Sequence, residues 1–322
     1  MKAQPADPSS GIPKIGPAIR IEGARKLYRG GHLAVSDVSL LVDQGTVHGL
    51  LGSNGAGKTT TLKMLLGLVA PTEGTFEILG QPAGPAMSRR LGFLPEQPYF
   101  PPLLTASQVM MFYGRLAGMD TAAIRERTSV LLSQVGLEGR GADLVSSFSR
   151  GLMQRLGIAQ ALVSSPELLI LDEPASGLDP VGQRDIRNLI LAQRELGITV
   201  LLSSHQLSEV EAVCDEVTIL DSGRVAQRGA IDTLLNITGQ NSVTARSSAD
   251  QLPEKIASIV GDVVVGSGTW VFSIPAHDSR RVVDVLDDDQ EWELVSIQPK
   301  RESLEDYFSH LVSARAEGQV SR

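Results

Sequence analysis

The 322-residue chain lacks several features, and each absence excludes a class of protein. It has a single cysteine, Cys214, so no disulfide forms within the chain and a reducing compartment is predicted. No apolar run reaches the roughly 20 residues that a membrane-spanning helix needs. Residues 1–17 include four prolines and no apolar core of a signal peptide, so we expect a flexible leader on a cytoplasmic chain.

The chain also lacks an excess of basic residues. Its 29 lysines and arginines are scattered along the sequence, and the 37 acidic residues give a formal net charge of -8. Because no basic stripe is present, the sequence predicts no nucleic-acid partner. Apolar residues make up 42% of the chain, which is enough for one large domain and a smaller one, each with its own core.

The order of the segments predicts an α/β fold. Alternating apolar and polar residues indicate antiparallel strands over residues 18–45. Apolar strands then alternate with helices over residues 46–69 and 167–223, as in a parallel sheet. A mostly helical region is inserted between them at about residues 97–157. We assign this large domain to residues 18–237.

Residues 238–322 are predicted to form a separate, smaller domain. Their segments follow the order strand, helix, strand, strand, helix, strand, which matches a ferredoxin-like α+β arrangement. A closing helix is predicted over residues 303–316. Trp270 and Trp292 are interpreted as core residues of the small sheet. Three roles stay open for this domain: regulation, support of a dimer, or sensing of a small ligand.

A glycine-rich motif follows the first buried strand. GSNGAGKT at residues 52–59 fits the pattern G-x-x-x-x-G-K-[ST] between a strand and a helix. Its glycines let backbone N–H groups surround a phosphate, and the N-terminus of the helix adds positive potential. Lys58 is predicted to reach the β- and γ-phosphates, and the Thr59 hydroxyl to bind Mg²⁺. The predicted nucleotide-binding residues of this motif are Gly52, Ser53, Asn54, Gly55, Ala56, Gly57, Lys58, Thr59 and Thr60.

An apolar strand that ends in two acidic residues is placed to complete this site. LLILDEP at residues 168–174 brings Asp172 to the end of a buried strand, where ligands bind in open parallel sheets. Asp172 is therefore predicted to hold Mg²⁺ through water. Glu173 is the next residue, and at this position its carboxylate can face the γ-phosphate and polarise an attacking water.

Three further motifs join these two in a fixed order, and the set resembles the nucleotide-binding subunits of ATP-binding cassette (ABC) transporters. FSRGLMQR at residues 148–155 stands where that family has its LSGGQ signature. SGLDP at residues 176–180 resembles the D-loop, and the segment from residue 203 onward resembles the switch region, with His205 as the switch histidine. The resemblance covers roughly residues 19–235.

The resemblance implies a P-loop NTPase core of the ABC type and a head-to-tail dimer. In such a dimer, each ATP is held by the phosphate loop of one subunit and the signature of the other. Tyr28 matches the aromatic position that stacks on adenine, and His205 is expected to hydrogen-bond the γ-phosphate or orient Glu173. The site residues that the resemblance adds are Tyr28, Ser149, Arg150, Gly151, Asp179 and His205.

Two positions depart from the family pattern. Leu152 replaces the glutamine of the signature, which removes one side-chain donor. In the family's Q-loop, counting without gaps places Glu96 where glutamine is usual, with Gln97 one residue later. We assign the Mg²⁺ contact to Glu96, since a carboxylate oxygen is a suitable ligand, and Gln97 is the alternative.

The function that follows is an ATPase that drives a separate transmembrane permease. The region after Glu96 and the segment around residue 303 resemble the branch that serves exporter-type, ABC-2-like permeases. The inserted helical region would receive the permease's cytoplasmic helices and hold the chain on the inner face of the cell membrane. The alternative is a soluble ABC ATPase acting on ribosomes or DNA. It is disfavoured because the chain has one motif set and no long coiled-coil insertion.

Overall fold

The computed structural model describes residues 16–84, 90–235, 237–301, 303–305 and 307. The chain divides into two compact units, one ending at Ile231 and one starting at Asp232, slightly before the predicted domain boundary. Nearly all of the predicted leader and most of the predicted closing helix lie outside the described residues. Within the described ranges, every helix is too short or too polar to span a bilayer.

The first unit is built on a ten-stranded sheet with the strand order β5-β4-β1-β2-β10-β9-β3-β8-β7-β6. The pairs from β9 through β3, β8 and β7 to β6 are parallel, whereas β1 pairs antiparallel with β2 and with β4. The strands are β1 (Ile19–Leu27), β2 (Leu33–Val42), β3 (Val47–Leu51), β4 (Glu73–Ile78), β5 (Gln81–Pro82), β6 (Leu91–Leu94), β7 (Leu168–Asp172), β8 (Thr199–Ser204), β9 (Glu216–Asp221) and β10 (Arg224–Ala230).

The burial of the strands agrees with their pairing. Every residue of β3, β7 and β8 is buried, as expected for strands covered on both faces. The outer strands β1 and β2 instead alternate between buried and exposed positions. The predicted α/β class, with a parallel core and an antiparallel subdomain, is therefore confirmed. The carboxyl ends of β3, β7 and β8 lie side by side at one edge of the sheet.

The inserted region contains three helices, α2 (Ala106–Leu116), α3 (Thr121–Gln134) and α4 (Arg150–Ala161), whose starts follow local capping rules. Thr105 and Gln108 form a reciprocal capping box at the start of α2, and Asp120 accepts two backbone N–H bonds at the start of α3. The stretch between α3 and α4 is not helical apart from a short 3-10 turn, so the region is less continuously helical than predicted. The helices of this unit are α1 (Lys58–Leu65), α2 (Ala106–Leu116), α3 (Thr121–Gln134), α4 (Arg150–Ala161), α5 (Pro180–Glu195) and α6 (Leu207–Val213).

The second unit has the predicted segment order. Its four-stranded antiparallel sheet has the order β12-β13-β11-β14, the arrangement of a ferredoxin-like domain. Trp270 and Trp292 are buried with their ring centroids 5.2 Å apart, as core residues of this sheet. The elements from residue 231 onward are α7 (Ile231–Leu234), β11 (Ile237–Ser247), α8 (Glu254–Ala257), β12 (Val263–Gly266), β13 (Thr269–Pro275), α9 (Ser279–Asp287) and β14 (Trp292–Arg301).

Candidate active site

The glycine-rich loop connects β3 to α1 and needs glycine at its last turn. Gly57 has a φ of 103°, and a Cβ there would lie 2.8 Å from the carbonyl oxygen of Ala34. No side chain fits that space, so the backbone approaches the neighbouring strand closely. The loop therefore enters α1 through a tight turn at Gly57, the N-cap of the helix, and a glycine-rich turn before a helix N-terminus is an arrangement that binds phosphate in proteins.

Lys58 is a buried cation at the start of α1. Its side chain is 6% exposed, and Nζ donates a hydrogen bond to the carbonyl oxygen of Gly52 at 2.7 Å. Nζ also lies 3.3 Å from Oε1 of Glu173. The lysine thus spans the loop and joins it to the end of β7, although these two residues are far apart in the sequence.

Three oxygen-bearing side chains meet at the end of β7. Ser203 on β8 donates its hydroxyl to Oδ1 of Asp172 at 2.6 Å, and Thr59 on α1 donates its hydroxyl to the same atom at 3.3 Å. Ser203 lies opposite Asp172 in the parallel β7–β8 pair. Hydroxyl and carboxylate oxygens are the donors that Mg²⁺ prefers, so this cluster fits the predicted metal chemistry.

Contacts to its backbone N–H and to both carboxylate oxygens hold Glu173 in place. It adopts a φ of 49°, which is uncommon outside glycine, and its N–H donates to Oγ of Ser203 at 3.0 Å. Oε2 lies 2.8 Å from Nδ1 of His205, which follows β8. Because Oε1 faces Lys58, the glutamate is held between residues from two other motifs.

An open cavity of about 430 Å³ lies beside the phosphate loop. The cavity is lined by the predicted phosphate-loop residues from Ser53 to Thr60 apart from Ala56, and by Glu96, Glu173 and His205. Gly52 and Asp172 do not line it, and neither does Tyr28. Three lining residues were not predicted as site residues: His32, Ala34 and Ser176.

The two candidates for the Q-loop position line different cavities. Glu96 follows β6 and lines both the phosphate-loop cavity and a neighbouring groove of about 330 Å³. Gln97 lines only the groove. Glu96 is therefore the one of the two that faces the phosphate loop within a single chain.

The predicted signature residues lie apart from the phosphate-loop cavity. Ser149 is the N-cap of α4, where Oγ accepts the N–H of Leu152 at 3.4 Å. Ser149 and Arg150 line the neighbouring groove, so a single chain does not bring them to the phosphate loop. A Cβ on Gly151 would lie 3.7 Å from Leu178, an ordinary contact, so packing within the chain does not require this glycine.

The D-loop packs against the start of α4. A Cβ on Gly177 would overlap the guanidinium of Arg150, so these two residues are in close contact. Asp179 is the N-cap of α5, and its Oδ1 accepts the N–H of Gly182 at 2.8 Å. This hydrogen bond gives Asp179 a structural role, in addition to the predicted nucleotide contact.

An unusual carboxyl lies one turn after His205. Burial raises the pKa of Glu209 on α6, while the charge of Arg187 acts in the opposite direction. Oε1 of Glu209 is buried and has no hydrogen-bond partner among the described residues. This group therefore takes up a proton more readily than an exposed glutamate would.

Comparison with known proteins places this geometry in a family. The sequence model of one family, described as ABC transporter, matches residues 35–176. An uncharacterized ABC transporter ATP-binding protein of Nostoc sp. is 36% identical over 296 residues, covering 88% of this chain and 86% of the relative. The Nod factor export ATP-binding protein I of Ralstonia nicotianae is 38% identical over 289 residues, covering 88% of each chain.

A solved structure agrees with these sequence relatives. It is a dimeric ATP-binding cassette in a post-hydrolysis state with ADP and phosphate bound, and it matches with a TM-score of 0.61 at 25% identity. The match covers 66% of this chain and 98% of that cassette. The chain is thus an ATP-hydrolysing subunit of the kind that works with transmembrane permeases. It belongs to the family of ABC transporter ATP-binding proteins.

Proposed function

We propose that this chain couples ATP hydrolysis to a separate export permease and that the permease docks on the inserted helical region. The observation that carries this proposal is an apolar groove of about 380 Å³ beside the Q-loop. Tyr99 and Leu116 line it and are 80% and 73% exposed. An apolar surface of this kind is typical of a docking site. The groove is lined by Leu91, Gly92, Phe93, Pro95, Pro98, Tyr99, Phe100, Tyr113, Leu116, Ala117, Gln160, Ala161, Val163 and Ser164.

Chain connectivity links this groove to the nucleotide site. Pro95 and Pro98 line the groove, and Glu96 between them lines the phosphate-loop cavity. A permease helix in the groove would therefore contact the segment that carries Glu96. The export direction is supported by the relative that is named as a Nod factor export protein. On this proposal, the chain is peripheral on the inner face of the cell membrane and binds no nucleic acid.

For the hydrolytic step, we assign the proton transfer to Glu173. Its buried carboxylate accepts a proton from the attacking water, and the hydrogen bond to His205 fixes its orientation. Lys58 contributes positive charge to the β- and γ-phosphates, as its buried position in the loop favours. His205 also contacts the γ-phosphate, since it lines the same cavity.

For the metal, we propose that Thr59, Asp172 and Glu96 hold Mg²⁺. The Thr59 and Asp172 oxygens already lie within hydrogen-bond distance of each other, and Glu96 lines the same cavity as Thr59. Mg²⁺ in this position neutralises charge on the phosphates when it is bound.

The signature segment is proposed to act on the ATP of a second copy of this chain. Ser149, Arg150 and Gly151 start α4 and do not reach the phosphate loop of their own chain. A helix N-terminus with a serine hydroxyl and a cation is suited to a γ-phosphate. A head-to-tail dimer would provide one from the partner subunit, and the similar solved cassette is dimeric.

The docking proposal is tested by pull-down of the full chain from detergent-solubilised native membranes. We expect a polytopic membrane protein to co-purify with the wild type and with Val130→Ser, whose exposed side chain lies on α3 outside the groove. The double variant Tyr99→Ser/Leu116→Ser should lose this partner while it retains ATP binding. Equal capture by the double variant would contradict the docking site. Co-sedimentation with ribosomes instead of membranes would contradict the transport function.

A further inference from the structure

The hairpin between β1 and β2 places two aromatic side chains opposite each other. Tyr28 donates its backbone N–H to the carbonyl oxygen of His32 at 2.9 Å, and Gly31 donates to the carbonyl oxygen of Tyr28 at 3.1 Å. Gly30 and Gly31 have φ values of 101° and 87°, which residues with side chains rarely adopt. The turn therefore fixes Tyr28 and His32 as a facing pair.

The rings of Tyr28 and His32 are close neighbours in this turn. Their centroids are 6.3 Å apart and their planes differ by 18°, so the rings are nearly parallel. Nζ of Lys26 lies 5.1 Å from the centre of the Tyr28 ring. Tyr28 thus has one neighbour on the preceding strand β1 and one across the turn.

His32 is the member of this pair that faces the phosphate-loop cavity. It lines the cavity together with Ser53, Asn54 and Thr60, whereas Tyr28 does not. Its side chain is exposed, and among the described residues no hydrogen bond to its imidazole is found. The fold therefore leaves the imidazole free to contact a molecule in the cavity.

We propose that His32 is a second base-contacting residue, whose imidazole packs against the purine base of ATP beside the ring of Tyr28. On the proposed function the phosphate loop holds the triphosphate, and His32 is the residue of this turn that lines the same cavity, so it is available to the base. Aromatic side chains, histidine among them, bind bases by stacking on their faces. A ring pre-positioned by a tight turn loses little conformational freedom on binding.

The inference rests on the proposed function, because it takes this cavity as the ATP site. The experiment therefore uses two ligands, MgATP and magnesium tripolyphosphate, which shares the phosphates but has no base. Their affinities for the full chain are measured by calorimetry. Lys58→Ala serves as the reference for phosphate binding, and Arg29→Ala is the matched control because Arg29 is an exposed residue of the same turn.

We expect His32→Ala to weaken MgATP binding on the order of 10-fold and to leave tripolyphosphate binding unchanged. His32→Phe keeps an aromatic ring and should restore most of the affinity for MgATP. Arg29→Ala should match the wild type with both ligands. Lys58→Ala should weaken both ligands.

Three results would overturn the role of His32 alone. The first is unchanged MgATP binding by His32→Ala. The second is an equal loss for both ligands, which would place the histidine against the phosphates. The third is a His32→Phe variant as weak as His32→Ala, which would show that a polar contact and not stacking is involved. Failure of the wild type to bind either ligand would instead contradict the nucleotide site itself.

Discussion

Nδ1 of His205 lies 2.8 Å from Oε2 of Glu173, while the other oxygen of the same carboxylate lies 3.3 Å from Nζ of Lys58. The Glu173 side chain is 9% exposed and that of His205 is 40% exposed. A nearly buried carboxylate therefore faces a fixed cation on one side and a more accessible imidazole on the other. This arrangement orients the glutamate before ATP binds, so the geometry of the proposed base is set by the fold.

The proposed base is tested by Glu173→Gln. The amide keeps the shape of the side chain but cannot accept a proton from water, so we expect MgATP binding to persist and turnover to fall about 10²- to 10⁴-fold. With hydrolysis blocked, the variant should also accumulate as a dimer in MgATP. The measurements are steady-state phosphate release, calorimetry and light scattering. Glu195→Gln, an exposed change at the end of α5, is the control, and a fully active Glu173→Gln would remove the assignment.

Ser149→Ala tests whether the signature acts between subunits. The hydroxyl accepts only a long hydrogen bond from Leu152 at 3.4 Å, so its removal should cost roughly 0.5–2 kcal/mol of stability, as for other helix caps. We expect the monomer to bind MgATP normally, whereas ATP-driven dimerisation and hydrolysis fall on the order of 10-fold.

Dimerisation is best measured in the Glu173→Gln background, by light scattering with and without MgATP. Ser146→Ala is the matched control, since Ser146 is exposed three residues before the cap. Unchanged dimerisation and hydrolysis in Ser149→Ala would reduce this serine to an ordinary helix cap.

Much of the first unit was predictable because its central elements carry local signals. β7 begins with four consecutive apolar residues, β3 is largely apolar apart from His48 and Gly49, and the glycine motif fixes the start of α1. Parallel strands end at one edge of the sheet, so the sequence also predicted that Asp172 and Thr59 would share a site. The order of segments in the second unit likewise followed from its alternating apolar residues and turns.

Other features depend on pairing between distant segments. β4 is largely exposed and lacks an apolar run, and it becomes a strand by pairing with β1. Ser203 reaches Asp172 only because β8 lies beside β7 in the sheet. The sequence alone did not predict this order of the strands. His32 was missed for the same reason, since its position depends on the hairpin and on the neighbouring phosphate loop.

The Q-loop assignment is tested by comparing Glu96→Ala with Gln97→Ala. Glu96 lines the phosphate-loop cavity and Gln97 does not, so only Glu96→Ala should raise the Mg²⁺ concentration needed for half-maximal hydrolysis, by about 10-fold. The measurement is ATPase activity over a magnesium titration at constant ATP. The opposite pattern, in which Gln97→Ala changes the Mg²⁺ dependence and Glu96→Ala does not, would show that the register is wrong by one residue.

A buried histidine outside the site should make the first unit sensitive to acid. His48 on β3 is fully buried, and Nε2 lies 2.9 Å from Oγ1 of Thr218. Burial, together with the charge of Arg228, lowers the pKa of His48 to about 3, although Oε2 of Glu216 lies 3.6 Å from Nδ1. The native state therefore keeps this imidazole neutral over a range in which the unfolded chain protonates it.

The sign of the pH effect follows from this difference. Unfolded histidine titrates near pH 6.5, so below that pH the unfolded chain binds a proton that the native chain does not, and stability falls as the pH falls toward 3. Between pH 7.5 and 5, this linkage amounts to about 2 kcal/mol for a single group. His48→Gln has no titrating group at this position. Between pH 7.5 and 5, the free energy of unfolding of the variant should therefore fall by about 2 kcal/mol less than that of the wild type.

The measurement is urea unfolding followed by far-ultraviolet circular dichroism, because both tryptophans lie in the second unit and their fluorescence reports on that unit. His277→Gln is the control, since that side chain is 83% exposed and belongs to the second unit. It should keep the pH dependence of the wild type. An identical pH dependence in His48→Gln and the wild type would show that the buried imidazole is not the group responsible.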